Sequence, residues 1–199
     1  TIHKTISAID KPLMNLGFYD TLICVNDRLQ LLANGTGNFS WFPANNMTDP
    51  NTATPTVFPT TTTTYYADLE VEGCKNRDSL TVRVTDHVNL QMMADTTICA
   101  RDTILLHISS DGLQYSWTPV QQVINSNVKN AVVITGATTT YQVRASIGGC
   151  STIGNVKVNA VPYPFADAGK DTVICYNTPA ALHALTDGNS WSWSPGTTI

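Results

Sequence analysis

Charged side chains are scarce in this chain: Lys and Arg number 11 and Asp and Glu 15 among 199 residues, or 13%. The formal net charge is −4, and the sequence contains no basic run. Nucleic acid is therefore not expected as a partner, because binding to a phosphate backbone depends on clustered Lys and Arg. No apolar stretch approaches the roughly 18 residues that a spanning helix needs, so we expect no membrane insertion in this segment.

Helical periodicity is also missing. No segment of useful length repeats its apolar residues every 3.6 positions, and at most one helical turn is expected, between Val120 and Val128. Short segments instead alternate apolar and polar residues, as in Thr103 to Ile108 and Leu113 to Trp117. This alternation, together with abundant Thr, Asn and Val, predicts an all-β chain of two-sheet β-sandwiches.

What the chain does have is a cassette that recurs about every 75 residues. Asp-Thr-x-Ile-Cys occurs three times, ending at Cys24, Cys99 and Cys175, and Trp-x-Pro follows each copy, at Trp41, Trp117 and Trp193. Repetition at a fixed period means that the repeat is the folding unit. We predict two complete repeats, residues 14–89 and 90–165. Residues 1–13 are expected to be the last strand of a preceding repeat, and 166–199 the first part of an incomplete third.

The five cysteines follow the same period. Their equal spacing predicts one disulfide inside each repeat, Cys24 with Cys74 and Cys99 with Cys150, and leaves Cys175 to a partner outside the chain. Both cysteines of a repeat are expected at one end of the sandwich, away from the buried Trp. Paired cysteines indicate an oxidising compartment. A zinc site is disfavoured because there is no Cys-x-x-Cys.

Residues that could carry catalysis are not brought together by any motif. The histidines at 107 and 183 occupy the same repeat position, which alternation places on the outward face. No Ser, His and acid form a recognisable set, and small repeated sandwiches rarely hold an active-site pocket. We predict no enzyme, no catalytic residue and no cofactor. Asp167 and Asp171, at the second junction, are weak candidates for calcium, with ordinary turn acids as the alternative.

The combination of Asp-Thr-x-Ile-Cys, Tyr-Ser-Trp-x-Pro, a Thr run ending at Tyr65, and Gly73-Cys74 resembles a known family. It is similar to the Ig-like/PKD-like tandem repeats of large Bacteroidetes surface proteins, which are adhesins and gliding-motility proteins exported by type IX secretion. The resemblance covers the whole chain. It implies a secreted, cell-surface location and a stalk or fibre architecture, but it identifies no ligand.

The same resemblance implies O-glycans on Asp-(Ser/Thr)-x triplets. The candidate acceptors are Thr21, Ser79, Thr96, Thr103 and Thr172. The alternative is that Asp-Thr simply opens a strand.

Three functions remain open from the sequence. The favoured one is a non-catalytic spacer in an adhesive or motility fibre, whose partners are neighbouring repeats and other surface or secretion-system proteins. The second is a carbohydrate- or protein-binding module that uses exposed aromatics such as Tyr66, Tyr163 or Tyr176 on surface polysaccharide. The third is an accessory domain of a secreted hydrolase. The aromatics do not recur between repeats, which favours the spacer.

Overall fold

The computed structural model describes residues 3, 4, 8 and 10–194, which form two consecutive β-sandwiches and the beginning of a third unit. Most of the strand expected within residues 1–13, and Pro195 of the third Trp-x-Pro, lie outside the described residues. The strands of the first sandwich are β1 (Asn15–Leu16), β2 (Asp20–Cys24), β3 (Leu29–Gln30), β4 (Ala33–Asn34), β5 (Asn38–Phe42), β6 (Met47–Thr48), β7 (Thr56–Val57), β8 (Thr63–Val71) and β9 (Cys74–Thr85).

The second sandwich repeats these elements and adds one short 3-10 helix, η1. Its elements are β10 (Leu90–Met92), β11 (Thr96–Cys99), β12 (Thr103–Leu106), β13 (Ile108–Ser110), β14 (Gln114–Thr118), η1 (Val120–Gln122), β15 (Val123–Ile124), β16 (Ala131–Ile134), β17 (Thr139–Ile147) and β18 (Cys150–Val161). The single helical turn expected between Val120 and Val128 is confirmed by η1. Two short strands follow, β19 (Ala166–Asp167) and β20 (Leu185–Thr186).

The strand order is the same in both sandwiches. One sheet has the order β2-β9-β8-β5 in the first and β11-β18-β17-β14 in the second. The facing strands are β3-β7-β6 with the pair β1-β4, and β12-β16-β15 with β10-β13. Two packed sheets in this order make Ig-like β-sandwiches, so the predicted all-β tandem architecture is confirmed.

Each sandwich is organised around its Trp. Trp41 and Trp117 are buried in the same core clusters as Tyr65 and Tyr141, the third residues of β8 and β17. The two indoles also make the same hydrogen bond: Nε1–H donates to the Thr52 carbonyl in the first sandwich and to the Val128 carbonyl in the second, both at 3.0 Å. A buried indole needs such an acceptor. No cysteine belongs to either core cluster, as predicted.

The predicted disulfide pairing is wrong, and the direction of β2 explains why. The disulfide joins Cys24 to Cys150, in different sandwiches, with the two Cα atoms 5.4 Å apart. Strand β2 runs parallel to β9, and Cys24 lies opposite Thr85, the last residue of that strand. Cys74 is the first residue of β9, so it lies about 35 Å away at 3.3 Å per residue. A bridge needs Cα atoms within about 7 Å, which excludes Cys24 with Cys74.

The same geometry applies to the second sandwich. Cys99 lies opposite Val161, the last residue of β18, whereas Cys150 is the first residue of that strand. The predicted pair Cys99 with Cys150 is therefore also wrong. The two cysteines of a repeat stand at opposite ends of the sandwich and not at one end.

Candidate functional site: the junction between the sandwiches

The disulfide lies inside an apolar cluster built from both sandwiches and the segment between them. The buried residues are Cys24 from β2, Val88 from the connection, and Ala145, Ile147 and Cys150 from the second sandwich. Leu22, Val25, Leu90 and Tyr115 pack partly buried around them. Burial of apolar surface on top of the covalent bond favours one relative placement of the two sandwiches.

A polar contact beside the disulfide adds a second link. Asp27 closes a tight turn after β2, in which its N–H donates to the Cys24 carbonyl at 3.1 Å and Asn26 has a φ of 69°. Its carboxylate accepts the Cys24 N–H at 3.2 Å and, across the junction, the Gly149 N–H at 3.0 Å. The turn of one sandwich therefore binds the β17–β18 hairpin of the next.

Glycine at position 148 is required by this close approach. A Cβ there would lie 1.8 Å from Asp27 Oδ2, and the backbone has a φ of +51°. The same position in the first sandwich holds Glu72, which also has a positive φ but carries a side chain. A side chain at position 148 would displace the Asp27 carboxylate and strain the turn.

The connection between the sandwiches is held by hydrogen bonds to the second sandwich at its last two residues, Val88 and Asn89. The Thr152 hydroxyl donates to the Val88 carbonyl at 2.7 Å, and Asp111 accepts the Asn89 N–H at 2.8 Å and its side-chain amide at 2.6 Å. These hydrogen bonds from Asn89 lower the pKa of Asp111. The segment is therefore an ordered connection and not a flexible linker.

One ion pair also occupies this connection. The His87 ring Nδ1 lies 2.5 Å from Asp86 Oδ1, and this hydrogen bond raises the pKa of His87 and lowers that of Asp86. Both side chains are exposed, and exposed pairs contribute little to stability because water screens them.

Replacing Asp27 by alanine tests the polar link. The variant loses the carboxylate that accepts the Cys24 and Gly149 N–H groups. The free energy needed to open the junction should therefore fall by about 1–2 kcal/mol. Dithiothreitol should then reduce the Cys24–Cys150 bond roughly five- to thirtyfold faster, since opening exposes the sulfurs. The rate is measured by alkylating the released thiols and determining the mass of the intact chain by mass spectrometry.

Asp102 is the matched control for this measurement. It occupies the position of Asp27 in the second sandwich, with the same turn hydrogen bond to Cys99 at 3.1 Å, but its carboxylate binds the Tyr163 hydroxyl. Asp102→Ala should leave the reduction rate unchanged. Equal acceleration in both variants would mean that Asp27 does not hold the junction.

A crevice of about 540 Å³ lies near the C-terminal end. Several of its lining residues correspond to core residues of the second sandwich, so we do not assign it as a ligand site. Its walls include Ala166, Ala168, Ala184 and Trp193. Their repeat counterparts in the second sandwich, Leu90, Met92, Ile108 and Trp117, belong to or pack against its core. The crevice is therefore the inner face of the third unit, whose described strands are β19 and β20.

The other predicted site residues do not converge. Among the acceptors proposed for O-glycans, Thr103 and Thr172 are exposed, whereas Thr21, Ser79 and Thr96 are half-buried in strands. Glycosylation stays a prediction. His107 and His183 are exposed, in line with the outward face expected for that position.

The calcium candidates also lie apart from any cluster. Asp167 accepts the Gly169 N–H at 2.9 Å, and both Asp167 and Asp171 are exposed. Over residues 10–194 and the three described positions before them, no group of three His, Cys, Asp or Glu side chains is placed to hold a metal. Within that same part of the chain, no helix is long and apolar enough to cross a membrane.

The aromatic residues named for polysaccharide binding are scattered. Tyr66 stacks on Phe42 with ring centroids 5.2 Å apart, and Arg77 covers the same Phe42 ring. The Tyr163 hydroxyl binds Asp102, and Tyr176, which belongs to the third unit, is exposed. The structure brings no two of the three tyrosines together.

No protein-family model matches the chain, and no curated protein matches it. Similar solved structures include an immunoglobulin tandem of titin, at 11% identity and a TM-score of 0.34, covering 76% of this chain and 97% of that one. Extracellular domains 3–5 of Drosophila OTK match at 9% identity and 0.36, covering 76% and 60%. The four N-terminal Ig domains of Dscam1 match at 10% identity and 0.40, covering 72% and 43%. The Ig-like assignment rests on the strand order of the two sandwiches.

Proposed function

We propose that this chain is a non-catalytic repeat segment of a large secreted bacterial surface fibre or adhesin, and that it acts as a spacer that resists extension. The observation that carries the proposal is the disulfide across the junction. A catalytic or binding module needs a site, whereas a covalent bond between neighbouring sandwiches serves mechanical continuity.

The position of the bond determines the path of a pulling force. Tension that enters from the N-terminal side reaches Cys24 and continues through the sulfurs to Cys150. The backbone between them, a separation of 126 residues, stays slack even if both sandwiches unfold. At about 3.4 Å per residue, the bond therefore removes roughly 430 Å from the length that tension can release.

Single-molecule pulling between the two chain ends tests this role. Unfolding under oxidising conditions should release about 430 Å less contour length than unfolding in dithiothreitol. A Cys24→Ala/Cys150→Ala variant should give the longer value under both conditions. Equal lengths for the unaltered chain with and without reductant would contradict the proposed resistance to extension.

The location is supported by two independent features. A disulfide persists in oxidising, extracytoplasmic compartments and is rare in the cytosol. The resemblance to Bacteroidetes repeats adds type IX secretion, gliding motility or attachment as the biological setting, with surface polysaccharide and other surface proteins as partners. Biotinylation of intact cells with a reagent that does not cross membranes should label the parent protein. Labelling only after lysis would contradict the surface location.

The binding-module alternative has less support than the spacer, because the cluster of Phe42, Tyr66 and Arg77 does not recur in the second repeat. The stacked Phe42 and Tyr66 and the covering Arg77 have Thr118, Gln142 and Ile153 at the equivalent positions of the second repeat. A surface that binds weakly many times needs the same groups in each repeat. Nothing of that kind is shared, so the spacer function is favoured.

A further inference from the structure

Each repeat has one cysteine at each end, which suits head-to-tail linkage. The first cysteine, Cys24 or Cys99, lies at the end of the sandwich where the chain continues into the next unit. It is opposite the last residue of β9 or β18. The second, Cys74 or Cys150, begins that long strand at the other end. The existing bond joins the first cysteine of one repeat to the second cysteine of the following repeat.

The end of the second sandwich that bears Cys99 reproduces the end that bears Cys24. The residue after the cysteine donates its N–H to the last residue of the long strand, Val25 to Thr85 at 2.8 Å and Ala100 to Val161 at 2.7 Å. The turn that follows has positive φ at its third residue in both repeats, 69° at Asn26 and 74° at Arg101.

The chain beyond this end also starts as the second sandwich does. The Phe165 N–H donates to Asp187 Oδ1 at 2.6 Å, as the Asn89 N–H donates to Asp111 Oδ1 at 2.8 Å. Strand β19 then pairs with β20 as β10 pairs with β13. A third unit of the same kind therefore begins at the Cys99 end.

We infer that Cys99 forms a disulfide with the second cysteine of the repeat that begins at residue 166, so that the bond between neighbouring sandwiches recurs along the array. That second cysteine would open the last strand of the third unit, in the sequence that follows residue 199. Cys175 occupies the first-cysteine position of the third unit, with the same turn, its carbonyl accepting the Thr178 N–H at 3.0 Å. It bonds in turn to a fourth repeat.

Forming each bond is a two-electron oxidation. The two thiols lose two protons and two electrons, and one S–S bond forms. The electrons reduce the disulfide of an extracytoplasmic thiol oxidoreductase to its dithiol, by way of a mixed disulfide. Folding places the cysteines of successive repeats together, so the partner is set by the strand directions and not by separation along the chain.

Bond connectivity does not depend on the fibre function, because any tandem array of these repeats would be linked in this way. The unreduced parent protein is collected from its source, treated with iodoacetamide and digested with trypsin. Cys99 lies in the peptide Val84–Arg101 and Cys150 in Ala145–Lys157. Mass spectrometry should find Val84–Arg101 joined to a peptide from the next repeat.

The known bond provides the internal standard. Ala145–Lys157 should appear joined to the peptide that ends at Arg28 and carries Cys24. Val84–Arg101 joined to Ala145–Lys157, or recovered with Cys99 alkylated, would overturn the inference. Absence of the standard link would overturn it as well, since the geometry of the first junction is its basis.

Two substitutions in the parent protein sharpen the result. Cys99→Ser should release one alkylatable thiol, on the second cysteine of the following repeat, and should leave Cys150 bonded. Cys24→Ser is the matched control and should release the thiol of Cys150 alone. If Cys99→Ser instead releases Cys150, or releases no thiol, the recurring linkage is wrong.

Discussion

Replacing both Cys24 and Cys150 by alanine should lower the free energy of unfolding of the oxidised chain by about 3–5 kcal/mol. The bond closes a loop with a sequence separation of 126, and a cross-link of that span removes much conformational entropy from the unfolded chain. Replacing both residues avoids leaving one unpaired thiol of the broken bond at the junction. Urea unfolding followed by far-UV circular dichroism, without reductant, measures the change.

Two comparisons keep this prediction specific to the junction. Cys175→Ala changes an exposed residue and should shift the urea midpoint by no more than surface substitutions usually do. Dithiothreitol should bring the unaltered chain to the midpoint of the double variant. A double variant as stable as the unaltered chain would mean that the bond constrains only the placement of the sandwiches.

Replacing Trp117 by alanine should cost the second sandwich about 3–5 kcal/mol, the usual loss for a large aromatic removed from a core. The side chain is 1% exposed, packs between the two sheets and donates its Nε1–H to the Val128 carbonyl. The variant leaves both a cavity and an unpaired carbonyl. A drop in the urea midpoint of the second sandwich, followed by circular dichroism, reports the loss.

Trp191 is the matched control, because it is the same residue type at 70% exposure. Trp191→Ala should change the free energy of unfolding by no more than about 0.5 kcal/mol. Similar costs for the two substitutions would contradict the assignment of Trp117 as the centre of its core. The repeat symmetry further predicts that Trp41→Ala weakens the first sandwich by a similar amount.

Local patterns predicted the sandwich architecture correctly. The outward position of His107, the buried Trp41 and Trp117, and the single turn at η1 follow from alternation and spacing within a few residues. Such features depend on which side of a strand a residue occupies, and the period of two determines that directly. The repeat boundaries at 14–89 and 90–165 stay predictions.

The junction could not be predicted in the same way. Asp27 and Gly149 meet across 122 positions of sequence, and neither is unusual for a turn. A signal was nevertheless present, since Asp102 repeats Asp27 and Gly73 repeats Gly149, so two turns recur beside the two cysteines. The Asp27–Gly149 contact is predicted if the turn after the first cysteine of one repeat is placed against the glycine turn of the following repeat.

The amino-acid sequence was enough to predict a tandem array of small all-β units, each with a buried Trp and two cysteines. Which cysteines pair became known from the three-dimensional arrangement of the strands. The outcome depends on the parallel pairing of β2 with β9, which places Cys24 beside Thr85 and the next sandwich. Strand direction in a sheet is a non-local property without a local residue pattern, whereas a disulfide requires Cα atoms within about 7 Å. Equal spacing of cysteines therefore revealed the repeat but not the bond.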